Sequence, residues 1–351
     1  MEIRIFEITG SGFEPKLITH LAANIYYTVD AFTAGGFEII FPFGAYGALE
    51  FQLNRLILID KHYSGIITDI EYTTSGNAEM INISGYNLLG LLTQRLTVPP
   101  SGEFDSITSN AETCIKHYWN NNIASDASFE RRIPFIFISA NLGRGANTSY
   151  SSSMDLLSDV TSELAVFGGL VVTADVDILN SQFIFDVHEP KILTFGQQDN
   201  PPVVISVERS TALTMAYANG LTGSSNAFYV DDYVYTRPAE DSTGISRRER
   251  KLSVSVDTSG DLVQQVAHTM TQYEPIKSLT ADVNFAKLKY REDYNVGDII
   301  TVTNHVWGVT ADIQITAVTI TADSSGTKTS LTLGADRMSV VEILIRNAKN
   351  S

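Results

Sequence analysis

The sequence predicts a β-rich α+β chain of several domains: two related antiparallel β domains, with a small α+β domain and a helical segment between them. Three observations carry this reading. A strand–turn–strand pattern is written twice, once near each end of the 351 residues. Two proline pairs, Pro99-Pro100 and Pro201-Pro202, cut the chain where its periodicity changes. Helical spacing is confined to the stretch between those cuts and to one segment near 260–272.

The first copy of the pattern runs Ile67-Thr68-Asp69-Ile70-Glu71-Tyr72-Thr73, then Ser75-Gly76, then Ile81-Asn82-Ile83-Ser84-Gly85. The second runs Ile315-Thr316-Ala317-Val318-Thr319-Ile320-Thr321, then Ser325-Gly326, then Leu331-Thr332-Leu333-Gly334. Each alternates with period 2 on both sides of a glycine-containing turn, as a hairpin does. A repeat this widely spaced is a duplicated module rather than a solenoid.

Taken in order, residues 1–97 form the first β domain, with strands expected at Ile3–Ile8, Ile25–Val29, Gly36–Phe41, Leu56–Asp60, Gly65–Thr73 and Met80–Ser84. Pro42–Gly47 reads as a loop and Leu88–Leu92 as a short apolar helix or turn. Residues 98–200 form the small α+β domain. In its first helix Ala111, Cys114, Ile115, Tyr118 and Trp119 share a face, and Asn120-Asn121-Asn122 is expected to stop it. A second helix starts near Ser153, with Ser152 or Ser153 as N-cap, Asp155 and Asp159 at its positive end and Gly168-Gly169 as its C-terminal signal. Strands are expected at Leu170–Ala174 and Gln182–Val187, and Gly143–Ser153 reads as a mobile loop. Residues 201–236 and 276–338 form the second β domain, 237–275 an inserted loop and helix, and 339–351 a C-terminal tail.

Composition narrows the function. Lys and Arg number 24 against 40 Asp and Glu, a net charge of −16, which argues against a face that neutralises nucleic-acid phosphates. One cysteine, Cys114, excludes an intrachain disulfide, and its apolar helical face favours packing over nucleophilic chemistry. No apolar run approaches the length of a membrane-spanning helix, and the N-terminus lacks a signal-peptide layout.

The search for chemistry finds no catalytic, cofactor-binding or metal-binding residues. The six histidines (His20, His62, His117, His188, His268, His305) show no ligand spacing. Asp231 and Asp232 are adjacent, so on a strand they point to opposite faces and make no dyad. Trp119 and Trp307 read as core rather than as a carbohydrate platform. The single basic cluster, carried by Arg247, Arg248, Arg250 and Lys251, reads as a solvated loop or as a loop that docks an acidic partner.

Two segments then carry a resemblance. One is Tyr63-Ser64-Gly65-Ile66-Ile67-Thr68-Asp69-Ile70 through Gly85-Tyr86-Asn87-Leu88-Leu89-Gly90-Leu91-Leu92-Thr93-Gln94-Arg95. The other is Tyr290-Arg291-Glu292-Asp293-Tyr294-Asn295-Val296-Gly297-Asp298-Ile299-Ile300-Thr301-Val302 through Thr332-Leu333-Gly334. In this order they resemble the siphovirus-type phage tail hub family, the tail-associated or baseplate hub proteins of prophage and phage tails. The resemblance implies a homotrimer in which the two β-barrel-like domains make a ring, so that three chains offer six similar surfaces to a six-fold tail. It implies a hub that closes the distal end of the tail tube and leads to a three-fold tip. The partners implied are a distal tail protein and the tail tube above, and a tip, spike or fibre protein below. Tape-measure protein and DNA would pass through the channel without specific nucleic-acid binding, past a wall expected to be acidic. It also implies a virion protein made in the host cytoplasm. Some relatives continue into a hydrolase, protease or fibre region; the chain given stops at Ser351, so that activity is expected to be absent. The alternatives are a tail-associated endopeptidase or peptidoglycan hydrolase, and a receptor-binding tail protein.

Overall fold

The computed structural model describes residues 1–75, 78–193, 204–209, 215–219, 233–236, 249–253, 276–281, 290–304 and 309–334. Seven strands open the chain: β1 (Ile3–Thr9), β2 (Gly12–Thr19), β3 (Asn24–Asp30), β4 (Gly36–Pro42), β5 (Leu56–Ile59), β6 (Tyr63–Ser75) and β7 (Ala78–Asn87). Next come β8 (Asp105–Asn110), α1 (Ala111–Ile123), β9 (Ile136–Ile138), β10 (Asn147–Ser152), α2 (Leu157–Gly168), β11 (Val171–Asp177), β12 (Gln182–His188) and β13 (Ile192–Leu193). The remainder are β14 (Val204–Arg209), β15 (Met215–Asn219), β16 (Tyr233–Thr236), β17 (Glu249–Ser253), β18 (Ile276–Ala281), β19 (Ile299–Asn304), β20 (Val309–Asp323) and β21 (Gly326–Gly334). The fold is β-rich with few helices.

Both copies of the repeat are hairpins, β6–β7 and β20–β21, and each carries a register shift at the same place in the pattern. The shift falls between Ile67 and Asp69 in one and between Ile315 and Ala317 in the other, so Thr68 and Thr316 are the extra residues. The correspondence reaches beyond the hairpins. In the first segment the strands pair in the order β1-β5-β6-β7-β4-β3, and in the second in the order β13-β19-β20-β21-β18-β14. One difference is that β5 meets β1 antiparallel whereas β19 meets β13 parallel. The two runs are not separate sheets, for β3 pairs with β20 and joins them into thirteen strands.

Strand pleating divides two cores. In β5 all four residues are buried: Ile57 and Ile59 enter a core shared by both β segments, while Leu56 and Leu58 enter the core of the α+β region. Val171 and Val172 in β11 split the same way. The second core holds Cys114, Tyr118 and Trp119 of α1, all fully buried, with Leu157, Val160 and Leu164 of α2.

Several elements differ from the sequence reading. The strand β2, absent from the expected set, contains Pro15; among the described residues it pairs with β1 alone, an edge position where a missing N–H is tolerated. The asparagine run does not stop α1, because Asn120 and Asn122 turn their amides back onto the carbonyls of Lys116 and Tyr118. Asn110 caps that helix by accepting from the Thr113 N–H. α2 begins at Leu157, not near Ser153, since Ser152 and Asp155 bind each other and Thr97 instead. Gly169 does close it, at φ 65°. Residues 147–152 are no loop: they form β10 against β8, with hydroxyl pairs Ser106–Ser151 and Thr108–Ser149 bridging the strands. The expected helix at about 260–272, Asp231-Asp232, Trp307 and the tail 339–351 lie outside the described residues.

Candidate assembly site

The junction of the two β segments is built from β3 and β20. Inward-facing residues oppose one another across it, Val29 against Val318 and Tyr27 against Ile320, and all four are buried. Each such side chain contributes roughly 1.5–3 kcal/mol through burial. On the other face the Thr28 and Thr319 hydroxyls meet at 3.3 Å. One edge of β20 is thus used twice: Val309–Gln314 hold β19 and Ala317–Ala322 hold β3.

The matching edge of β6 is used once. Tyr63–Ile66 hold β5, but among the described residues no strand lies along the outer edge of Asp69–Thr74. β14, which corresponds to β3, likewise pairs with β18 alone. Two unpaired edges therefore stand where the two members of the internal junction stand in the partner module. Tyr72, in the β6 edge, is 65% exposed, whereas its counterpart Ile320 is 1% exposed.

The loop before β19 fastens the second segment to the rest. The Asp298 carboxylate, itself buried, accepts from the backbone N–H groups of Lys191 (3.1 Å) and Asn295 (2.8 Å). Gly297 sits at φ 90° against Val171, where a Cβ would come within 2.2 Å of Cγ2, so only glycine fits. Arg291 reaches Asp175 of β11 at 2.7 Å. Burial alone would weaken the Arg291 charge, but Asp175 holds it protonated. Tyr290 stacks on Tyr63 with centroids 6.2 Å apart, and burial, then Tyr290, pushes the Tyr63 hydroxyl up to about 12. Tyr290, Arg291, Asp175 and Asp298 line a cavity of about 520 Å³ together with Tyr27, Asn87, Arg144 and His188. Its two arginines are paired: Arg291 with Asp175 in the wall, and Arg144 with Glu112 behind it. Burial chiefly presses the His188 pKa down.

The Glu112 carboxylate anchors the region behind the cavity. It is fully buried and accepts from Lys116 Nζ (2.7 Å) and from Arg144 Nε (2.9 Å). Burial would raise its pKa, but these hydrogen bonds hold it at about 2. The Glu112–Lys116 pair stands at i,i+4 spacing on α1, but Arg144 is 32 residues from Glu112 and no local pattern points to it. Among the described residues no group of three His, Cys, Asp or Glu side chains is placed to hold a metal ion, and no helix is long and apolar enough to cross a membrane. His117 meets Asp105 at 2.7 Å.

The basic cluster divides. Arg247 and Arg248 lie outside the described residues, whereas Arg250 and Lys251 fall in strand β17, where they pair in parallel with Ala216 and Tyr217 of β15. Cys114 is buried, and burial pushes its thiol up to about 11.

The family described as Siphovirus ReqiPepy6 Gp37-like protein matches residues 23–232 and 241–335. No curated protein matches the sequence. Among solved structures, prophage tail protein gp18 from Listeria monocytogenes EGD-e is similar at 14% identity and TM-score 0.56, covering 100% of this chain and 99% of its own. The 43 kDa tail protein of prophage MuSo2 from Shewanella oneidensis is similar at 13% identity and TM-score 0.55, covering 95% and 98%. A tail protein from Neisseria meningitidis MC58 is similar at 14% identity and TM-score 0.53, covering 96% and 97%. At these identities the likeness is one of fold, and it extends along nearly the whole chain.

Proposed function

We infer the role from kinship, because this chain belongs to the Siphovirus ReqiPepy6 Gp37-like family: it is a structural component of a phage tail. Within the tail it is the central hub, a homotrimer that closes the distal end of the tube. There it adapts six-fold tail symmetry to a three-fold tip and encloses a channel for DNA. A distal tail protein and the tube bind above and a tip, spike or fibre protein below, in a virion assembled from protein made in the host cytoplasm. The domain limits set out from the sequence are retained in this reading, with 1–97 as one ring module and 201–236 plus 276–338 as the other. The net charge of −16 suits a passage that DNA must slide through without sticking, an effect felt within about 8–10 Å of the wall.

One observation carries the reading: an internal junction between two modules of the same strand order, with the two edges for its repetition unpaired among the described residues. Applying the β3–β20 contact again would set β14 of one copy on β6 of the next. Such a heterologous contact closes a ring when the rotation fits, here six modules from three chains. The register transfers too. Since Ile320 faces Tyr27 inside the chain, Tyr72 of one copy should face Ser206 of the next, antiparallel.

Directly opposed residues in antiparallel strands sit about 4.5–5.5 Å apart at Cα, within reach of a disulfide. Oxidising the Tyr72→Cys, Ser206→Cys double variant should yield covalent species ending at three chains, while each single variant yields none beyond two. Buried Cys114 is a poor competitor. Free thiols at both positions after oxidation, in a protein whose native mass is that of one chain, would overturn the ring.

A further inference from the structure

In a chain with 40 acidic and 24 basic residues, arginines should find carboxylates easily. Four with described surroundings do: Arg4 pairs with Glu2 (2.5 Å), Arg55 with Glu50 (2.6 Å), Arg144 with Glu112 (2.9 Å) and Arg291 with Asp175 (2.7 Å). Arg95, Arg131 and Arg132 do not. Arg95 donates to the carbonyls of Arg131 and Gln94, Arg131 to the carbonyl of Leu96 and the side chain of Asn122, and Arg132 to the carbonyl of Ala127. Among the described residues none of the three meets a carboxylate, although Glu130 and Asp155 are close in sequence to the patch. The Arg131 Nε is buried without a partner. Burial, and then the Arg95 charge beside it, presses the Arg131 pKa down, as expected for crowded cations without a counter-charge.

The same surface carries apolar side chains. Leu96 and Leu156 lie opposite each other in an antiparallel bridge and are 40% and 39% exposed. Met154, which donates its N–H to the Thr97 carbonyl, is 60% exposed, and Phe129, two residues before Arg131, is 84% exposed. Aromatic, Met and Arg side chains around a leucine pair are the composition that protein interfaces favour.

We propose that the patch formed by Arg95, Arg131, Arg132, Leu96, Leu156 and Phe129 docks a separate protein through a carboxylate-rich segment whose apolar residues seat on the leucine pair. Charge complementarity selects the partner: a segment bearing carboxylates supplies what these three guanidiniums lack. A second copy of this chain is not the occupant, because in the proposed ring the contact between copies runs along β6 and β14, and the patch lies in the α+β region outside that sheet. The surface is distinct from the basic cluster at Arg247–Lys251. The exclusion of a second copy rests on the proposed ring, whereas the patch itself is complete within one chain.

The test uses the full-length chain and a fluorescein-labelled peptide of alternating Glu and Leu, read by anisotropy at low and at physiological salt. Binding that weakens with salt is expected. Arg132→Glu should weaken it roughly tenfold and Phe129→Ala roughly fivefold. Both side chains are exposed, so neither variant should alter the far-UV circular dichroism or the melting temperature. Absence of salt-sensitive binding, or equal binding by Arg132→Glu, overturns the proposal. So does a DNA duplex binding as tightly as the peptide, because phosphate would then serve as well as carboxylate. Self-association that Arg132→Glu abolishes also overturns it, by making a second copy the occupant.

Discussion

The two hairpin modules share a strand order and a misplaced threonine, yet they treat the same edge differently. In the second module the edge after the bulge is covered by β3, and the threonine at the bulge is 7% exposed, its hydroxyl donating to the carbonyls of Thr332 and Gly334. In the first module that edge is open, and Thr68 only reaches its neighbour Asp69. A duplicated backbone therefore does not fix the chemistry of its surface. The covered copy has become apolar and internally bonded, and the open copy keeps Asp69, Glu71 and Tyr72 toward solvent. In the proposed ring, the open edge is where an outside strand would lie.

The sharpest way to break this comparison is to truncate counterpart residues. Ile320→Ala should cost about 2–5 kcal/mol in denaturant unfolding, because it opens a cavity in a full core. Tyr72→Ala in the isolated chain should stay within about 0.5 kcal/mol. Equal losses would mean that the edge of β6 is covered after all. Next in size is the acid response of the region between the modules. The folded pKa of Glu112 is lowered to about 2 from 4.5, so its contribution is present above the unfolded value and is lost as pH falls from about 4.5 to 2. Conversion of that shift gives about 3 kcal/mol at neutral pH. The protection factors of the α1 amides, which are normalised to the intrinsic exchange rate at each pH, should therefore fall over this acid range in the wild type and become flat with pH in Glu112→Gln. A flat wild-type profile would show that the buried carboxylate is not what ties this region down. The smallest effect expected is at the bulges: Thr316→Val should cost about 1–2 kcal/mol, whereas Thr68→Val should be nearly neutral by thermal melting.

The sequence revealed the repeated hairpins because period-2 alternation survives duplication, and it revealed α1 and α2 because their buried faces recur at helical spacing. It concealed what depends on contacts distant along the chain. β2 was hidden by Pro15, which only an edge position excuses, and β10 by Ser, Thr and Asn residues whose hydroxyls are satisfied across to β8. The three arginines of the docking patch were legible as residues. Their lack of carboxylates was not, because it can be seen only once the partners of every other described arginine are known. The basic cluster at Arg247–Lys251 drew attention by its density in sequence, but density does not report pairing.

The strand junction also sets a timetable. Thr28 and Thr319, which meet across it, are 291 residues apart. At the usual pace of synthesis the later strand leaves the ribosome roughly 15–60 s after the earlier one. Throughout that interval β3 offers an uncovered backbone edge and the buried faces of Tyr27 and Val29 to whatever is nearby. The first module must therefore wait for nearly the last strands before its sheet is finished. Contacts of such long range slow folding and prolong exposure to mispairing. In a cell making many copies at once, the nearest β20 for an unfinished chain can belong to its neighbour, so the contact that unites one subunit is also its main hazard of domain exchange.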